Sequence, residues 1–362
     1  MENTMILALD GRELGNECKR TASRLHFSLI VYLLVASVVV SFASFGIGFF
    51  SVINPDIIEL IMTNNLYYNI FIWGTQILSM YLIAYPVFYF MTRHLPKREL
   101  SDKENLRFVD FIKLAIATEG IMLIGSMVAS TVTDMLNEYL GIVVEDTTSE
   151  LIGQTNIWIV ILVVVVIGPI FEELIFRKIF IDTLGKYSIG LAIFMSAASF
   201  ALFHGNLTQV IYTFGAGLIL AWVYAKTKKM IYPILLHMFI NFFGTVPSLL
   251  FMDSVDRVLG MTEEELMNAT DPEILADIAK VNALSYMNLG FMFFGAIILL
   301  SMLVHGFFKL DKSGETKIPF FKRLGVLLFN WGTFVFVAYS LINIVLELFL
   351  PLIEQYLEQF LV

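Results

Sequence analysis

The chain has 362 residues, of which 58% are apolar and only 15% are charged, and its formal net charge is −9. Soluble domains usually carry about 25% charged residues. The composition therefore excludes a soluble two-domain protein and predicts an all-α, polytopic transmembrane helical bundle. We expect the protein to lie in the lipid bilayer and to bind no nucleic acid. The composition does not indicate its oligomeric state. Cys18 is the only cysteine, which excludes an intramolecular disulfide and a cysteine-based metal site.

Apolar runs divide the chain into membrane spans, each of which needs about 20 apolar residues. This organisation predicts an N-terminal cytoplasmic segment with three spans over 1–154, a four-span core over 155–252, an acidic outer loop over 253–283 and two C-terminal spans over 284–362. The nine predicted spans cover residues 27–52, 68–91, 108–132, 156–181, 188–204, 207–225, 231–252, 284–306 and 325–350.

The basic residues fix the predicted orientation. Lysine and arginine concentrate in cytoplasmic loops, and a cytoplasmic N-terminus places 20 of the 23 on that side. We therefore expect an integral, multi-pass protein of a bacterial plasma membrane, with its C-terminus outside. The outer loops are acidic. Within 253–283, Thr262 to Glu265 form a capping box and Asp271 precedes Pro272, so we expect two short surface helices there.

Ionisable residues in apolar surroundings are the strongest functional signal. Each charge near the bilayer centre costs about 2.5–3.5 kcal/mol on insertion scales. Even so, Glu172 and Glu173 directly follow the nearly unbroken apolar run 157–171, and further polar residues occur in the same span and in spans five and seven. These are Arg177, His204 four residues after Phe200, and His237 four residues before Asn241.

Helix geometry predicts that these residues meet. If spans four and five form a hairpin about residues 185–186, Glu172 and His204 differ in depth by about one turn, or ~6 Å. His237 lies near the cytoplasmic end of span seven. We therefore expect one centre in the inner half of the membrane that opens toward the cytosol. Glu172 and Glu173 point about 100° apart, so we expect Glu173 to pair with Arg177 and Glu172 to face the cavity.

Each polar residue also has a structural explanation when it is taken alone. Glu173 with Arg177 is typical of an interface ion pair, His204 of a helix end, and His237 of a helix start. Asn241 alone suits an interhelical hydrogen bond. On three helices at matched depth, the set favours a functional site instead.

The same residues resemble the CPBP (Abi) family of CAAX proteases and bacteriocin-processing enzymes. The resemblance covers about 155–250 and rests on three motifs in order, Glu-Glu-x-x-x-Arg, Phe-x-x-x-His and His-x-x-x-Asn. Here they read Glu172-Glu173-Leu-Ile-Phe-Arg177, Phe200-Ala-Leu-Phe-His204 and His237-Met-Phe-Ile-Asn241. The resemblance implies an all-helical intramembrane endopeptidase that hydrolyses a peptide bond of a membrane-associated or lipidated peptide or protein. It implies supporting roles for Glu173, Arg177 and Phe200.

The resemblance also implies catalytic roles. Glu172 with His204 would activate a water molecule, and His237 with Asn241 would stabilise the tetrahedral oxyanion. Glu172, His204 and His237 are equally a plausible zinc-ligand set, so zinc is possible although no cofactor is firmly assigned. We favour a metal-independent, glutamate-activated water because Asn241 beside His237 suits an oxyanion hole.

Two other functions compete with the endopeptidase. One is a non-catalytic membrane protein that binds peptides or confers bacteriocin self-immunity. The other is a transporter that relays protons through its carboxylates. Transporters usually contain internal repeats, and the sequence shows none, which disfavours that alternative.

Overall fold

The computed structural model describes residues 11–98, 103–142, 144, 147–310 and 320–361, and these residues contain helices and no strand. The all-α prediction is therefore confirmed. The predicted loop residues Glu145, Asp146, Lys312 and Lys317 lie outside the described residues.

Seventeen α-helices and three π-helical stretches follow one another along the described chain. In order they are α1 Gly11–Ile53, α2 Pro55–Thr63, α3 Asn65–Gln76, π1 Ile77–Ala84, α4 Tyr85–Thr92, α5 Phe108–Leu140, α6 Thr147–Gly153, α7 Ile157–Val160, π2 Ile161–Ile167, α8 Gly168–Glu173, π3 Leu174–Ile179, α9 Phe180–Leu184, α10 Ile189–Phe203, α11 Leu207–Thr227, α12 Ile231–Leu250, α13 Met252–Leu259, α14 Glu263–Met267, α15 Pro272–Val304, α16 Phe320–Leu328 and α17 Trp331–Leu361.

Eight helices of the described chain are long and apolar enough to cross a membrane, whereas the sequence predicts nine spans. The predicted fifth span is the difference. It forms α10, which has 15 residues and is therefore only about 22 Å long. It packs along α11 as a tight hairpin, turning at Gly205 with φ +64°, a conformation that glycine adopts without steric cost.

The predicted acidic loop 253–283 is more helical than expected. The Thr262 capping box is present at the start of α14, and Asp271 caps the start of α15. The second element is not a short helix, however, because α15 continues for 33 residues into the eighth span. Ser254 Oγ of α13 donates to Asp277 Oδ1 over 2.7 Å. The polar first turns of α15 therefore pack on α13, and the helix continues beyond them.

The basic loops gather at one end of the bundle, which we call the basic end. There Arg98 N donates to Asp182 O over 2.7 Å and Glu104 N donates to Thr227 O over 3.2 Å. Lys186 Nζ lies 3.3 Å from Glu17 Oε1. The loops therefore alternate as the sequence predicts, while the assignment of the basic end to the cytoplasm stays a prediction.

The acidic loops gather at the opposite end, which we call the acidic end. Trp73 Nε1 donates to Thr155 Oγ1 over 2.9 Å, which ties the second span to the segment before α7. A side chain on Gly153 would contact Met252, so the start of α13 lies beside them.

Candidate active site

The two glutamates sit on α8, a short α-helical stretch between π2 and π3. In π2, Gly168 N donates to Val163 O, five residues back. The same pattern would pair Val164 O with residue 169, which is a proline and has no N–H to donate. Asn241 Nδ2 supplies the missing hydrogen bond to Val164 O over 2.9 Å. Asn241 therefore joins α12 to the helix that carries the glutamates.

Glu173 is the centre of a fully buried ion cluster. Its Oε2 lies 3.1 Å from Arg177 Nε, and both side chains have 0% exposure. Its Oε1 accepts a hydrogen bond from His237 Nδ1 over 2.8 Å. The i,i+4 spacing predicts the first contact, whereas no sequence pattern predicts the second, which crosses from α8 to α12.

The Phe200 ring contacts the Arg177 guanidinium and the imidazole rings of both histidines. The 3.1 Å contact between Arg177 and Glu173 is an ion pair without hydrogen-bond alignment, and no guanidinium nitrogen has a hydrogen-bond partner among the described residues. Instead the guanidinium carbon lies 4.5 Å from the centre of the Phe200 ring, a stabilising cation–π geometry. The same ring packs edge-on against His204 and His237, with ring centroids 4.9 and 5.6 Å apart.

The two histidines present defined ring nitrogens to the cavity. His204 Nδ1 donates to Phe200 O over 2.8 Å, which leaves Nε2 of the neutral ring as a proton acceptor. His237 is held at Nδ1 by Glu173, and its Nε2 lies 3.6 Å from Glu172 Oε2. Glu172 is 22% exposed and lines the cavity. The predicted division between a paired Glu173 and a cavity-facing Glu172 matches this geometry.

The turn that carries His204 is fixed by a residue far along the chain. Glu347 of α17 accepts a hydrogen bond from Leu207 N over 3.1 Å, and Asn206 Nδ2 donates to the same carboxylate. Asn206 Oδ1 in turn caps α11 by accepting from Gln209 N. The last span therefore holds the α10–α11 hairpin in place, although no motif in the sequence includes Glu347.

A cavity of about 900 Å³ contains all four predicted catalytic residues in its wall: Glu172, His204, His237 and Asn241. From these residues the lining extends toward the acidic end, where it includes Trp73, Thr133 and Leu151. The cavity therefore extends toward the acidic end, whereas the sequence predicts a centre that opens at the basic end. Which end faces the cytosol stays a prediction. On the basic side of the site, Phe176, Phe180 and Leu220 have 0% exposure.

Two further cavity residues lie outside the motifs. Tyr81 of π1 stacks on Phe171 with ring centroids 4.6 Å apart. A side-chain carbon built on Gly168 would lie 3.4 Å from Tyr81 Oη and 3.9 Å from Glu172 Oε1, so the hydroxyl and the carboxylate flank the same small space. Glu119 of α5 is 1% exposed, and its Oε2 has no hydrogen-bond partner in the described part of the chain. Glu119 is an acid in the middle of the third predicted span, 108–132, whereas no sequence pattern marks Tyr81.

The possible zinc ligands do not form a metal-binding group. Among the described residues, no three His, Cys, Asp or Glu side chains are arranged to hold a metal ion. His237 directs Nδ1 to Glu173 and Nε2 to Glu172, which is a carboxylate–imidazole chain.

The fold and the site together define a polytopic membrane protein with a glutamate–histidine centre buried between its helices. Residues 154–243 match the family model described as type II CAAX prenyl endopeptidase Rce1-like. Membrane-embedded CAAX protease MroQ of Staphylococcus aureus (strain USA300) is 31% identical over 169 residues, which cover 44% of this chain and 67% of that protein.

A second relative is the putative membrane peptidase YdiL of Bacillus subtilis (strain 168). It is 34% identical over 92 residues, which cover 25% of this chain and 38% of that protein. No solved structure gives a significant match. The chain belongs to the CPBP family of Rce1-like CAAX proteases and is an integral, multi-pass membrane protein. Its relatives support an intramembrane protease activity.

Proposed function

We propose that this protein is an intramembrane endopeptidase of the glutamate type, which hydrolyses a peptide bond of a membrane-associated or lipidated peptide or protein. One observation carries the proposal. Glu172 faces the cavity, 3.6 Å from His237 Nε2, and His204 lines the same cavity with its Nδ1 already engaged. A carboxylate and two oriented imidazoles in one enclosed space are the groups that general acid–base hydrolysis requires.

The nucleophile is a water molecule held between Glu172 and His204 Nε2, both of which accept hydrogen bonds. Glu172 takes a proton from this water as the oxygen attacks the substrate carbonyl carbon, which gives a tetrahedral oxyanion. When the C–N bond breaks, Glu172 returns the proton to the leaving amine. One carboxyl group thereby serves first as the base and then as the acid, and no covalent enzyme intermediate forms.

The oxyanion is stabilised by donors on the other side of the cavity. His237 donates Nδ1–H to buried Glu173, which fixes the ring so that Nε2 is directed to the cavity. When Nε2 carries a proton, it donates to the oxyanion. The Tyr81 hydroxyl flanks the same space. Asn241 uses one amide N–H on Val164 O, which leaves its second N–H as a further donor. Each such donor in a water-excluding site is worth about 3–4 kcal/mol.

Arg177 balances the charge of the site. Glu172 and Glu173 bring two negative charges, and Arg177 neutralises Glu173. Because Arg177 has 0% exposure, its charge acts in a low-dielectric interior, where such pairing is strong. Arg177 is thus a positioning residue that holds Glu173 in place behind His237.

The test compares the purified wild-type protein with Glu172→Gln in reconstituted vesicles, with fluorogenic peptides as substrates. The change removes the base while preserving shape, so we expect cleavage to fall by about 10²–10⁴-fold with an unchanged unfolding temperature. Glu59→Gln, an exposed residue of α2, is the matched control and should cleave normally.

The same experiment separates the competing functions. Full activity in Glu172→Gln would overturn the assignment of the base. If the wild-type protein binds peptides but neither protein cleaves any of them, the non-catalytic peptide-binding or self-immunity function replaces the endopeptidase.

A further inference from the structure

The cavity runs along one face of α5 from mid-bundle to the acidic end. Glu119, Ser126, Ser130 and Thr133 line it at helical spacing. With a rise of 1.5 Å per residue, these positions cover about 21 Å of helix. Leu151 and other residues of α6, beyond the end of α5, line the same cavity. The space is therefore a passage from the catalytic groups to the acidic surface.

The opposite side of the catalytic groups is closed. Arg177 and Phe176 have 0% exposure directly behind Glu173. Closer to the basic end, Leu220 and Val223 of α11 and Leu236 of α12 are also 0% exposed. No cavity-lining residue belongs to the basic loops. A peptide that came from the basic side would have to separate these packed helices.

The charge of the passage indicates what it accepts. Its described lining contains neither lysine nor arginine. Exposed Asp134, Glu138 and Glu150 lie in the segments around its outer end. The remaining lining is mostly serine, threonine and apolar residues. The passage suits an extended peptide that is neutral or positively charged, because a negative peptide would meet the like charges of the exposed acids at the outer end.

We propose that the substrate reaches Glu172 from the acidic end of the bundle, as an extended, neutral or cationic peptide segment presented on the extracytoplasmic side of the membrane. The side follows from the basic end facing the cytoplasm. This inference rests on the proposed function, because it names the substrate's route and chemistry for that same site. It points to an exported or outward-facing peptide and away from a cytosolic C-terminus.

Cysteine labelling tests the route without relying on cleavage. Cys18 is the only native cysteine and is buried, so Cys18→Ala gives a cysteine-free background. Ser130→Cys places a thiol in the passage. The probe is a membrane-impermeant, quaternary-ammonium methanethiosulfonate, added to right-side-out or to inside-out vesicles. We expect labelling of Ser130→Cys in right-side-out vesicles alone.

Two matched positions serve as controls. Val128→Cys lies on the same helix at nearly the same depth, but it is outside the cavity lining and 50% exposed on the outer face of the bundle. We expect no labelling there, since its thiol faces hydrocarbon. Lys103→Cys, an exposed residue of a basic loop, should be labelled in inside-out vesicles alone.

Every other pattern contradicts the proposal. Labelling of Ser130→Cys and Lys103→Cys from the same side would show that the passage does not open at the acidic end. Labelling of Ser130→Cys in inside-out vesicles and of Lys103→Cys in right-side-out vesicles would show that the passage faces the cytosol. No labelling of Ser130→Cys from either side would show that no aqueous route exists. Labelling needs no catalysis, so its result is independent of the cleavage assay. If the labelling pattern is as expected but Glu172→Gln cleaves normally, the proposed function is refuted and the proposed route is not.

Peptide protection tests the substrate chemistry. The probes are two twelve-residue peptides of alanine, serine and leucine, one with two lysines and the other with two glutamates. The lysine peptide should protect Ser130→Cys from labelling at about tenfold lower concentration than the glutamate peptide, at low ionic strength. Equal protection, or better protection by the glutamate peptide, would overturn the predicted charge preference.

Discussion

Asn241→Ala tests the link between the proline in the fourth span and the asparagine in the seventh. The change removes the hydrogen bond of 2.9 Å to Val164 O. Because Pro169 has no N–H, the carbonyl is left unpaired inside the bundle. A buried acceptor without a partner costs about 1–3 kcal/mol. We therefore expect the free energy of unfolding to fall by about that amount, measured by denaturation in mixed detergent micelles.

A second substitution makes the test specific. Pro169→Ala restores an N–H five residues after Val164, at the position that the π-helical pattern uses. Added to Asn241→Ala, it should recover much of the lost stability, as a coupling energy of about 0.5–3 kcal/mol in a double-mutant cycle. The reasoning is refuted if Asn241→Ala unfolds like the wild type, or if Pro169→Ala gives no recovery.

Cleavage by the same four proteins separates the two roles of Asn241. Its second N–H is a proposed oxyanion donor, and loss of one donor typically lowers kcat by about 10²–10³-fold. The double variant should therefore be stable but still at least about 10²-fold slower than the wild type. Recovery of cleavage together with stability would show that Asn241 acts only through the position of α8.

Three further predictions concern groups around the cavity. Tyr81→Phe should lower kcat by about 10²-fold at unchanged stability, because it removes a proposed oxyanion donor; an unaltered kcat would remove Tyr81 from the mechanism. Glu347→Ala should reduce the free energy of unfolding by about 1–3 kcal/mol and lower cleavage, because it frees the turn that carries His204; wild-type behaviour in both assays would contradict that positioning role. Cleavage should persist in a zinc chelator, and loss of activity that zinc restores would establish the metal-dependent alternative.

Much of the fold follows from local properties of the sequence. Hydropathy marks the long spans because lipid selects apolar residues over about 20 positions. The Glu173–Arg177 pair follows from helical spacing alone. The end of α5 also has a local cause, since Gly141 adopts φ +66°. Hydropathy cannot show that Asp271 and Pro272 begin a long helix, because the polar first turns of α15 are stabilised by contacts with α13.

The site was predicted less completely because its decisive contacts join distant segments. His237 and Glu173 are 64 positions apart, and Glu347 and Asn206 are 141 apart. No spacing rule connects such pairs. The direction in which the cavity extends was not predicted for a related reason. Counting residues along a helix gives the depth of Glu172 in the membrane. Only the packing of the helices shows on which side the site is covered, and here Phe176 and its neighbours cover the basic side.

The central claim is that Glu172 and His204 act as one water-activating unit, and a kinetic double-mutant cycle tests it most directly. The measurement is kcat/KM for the wild type, Glu172→Gln, His204→Ala and the double variant, all in the same vesicles. Groups that act together are strongly non-additive, so the account predicts that the double variant is no slower than the slower single variant. Rate losses that multiply, or a fully active Glu172→Gln, would contradict it.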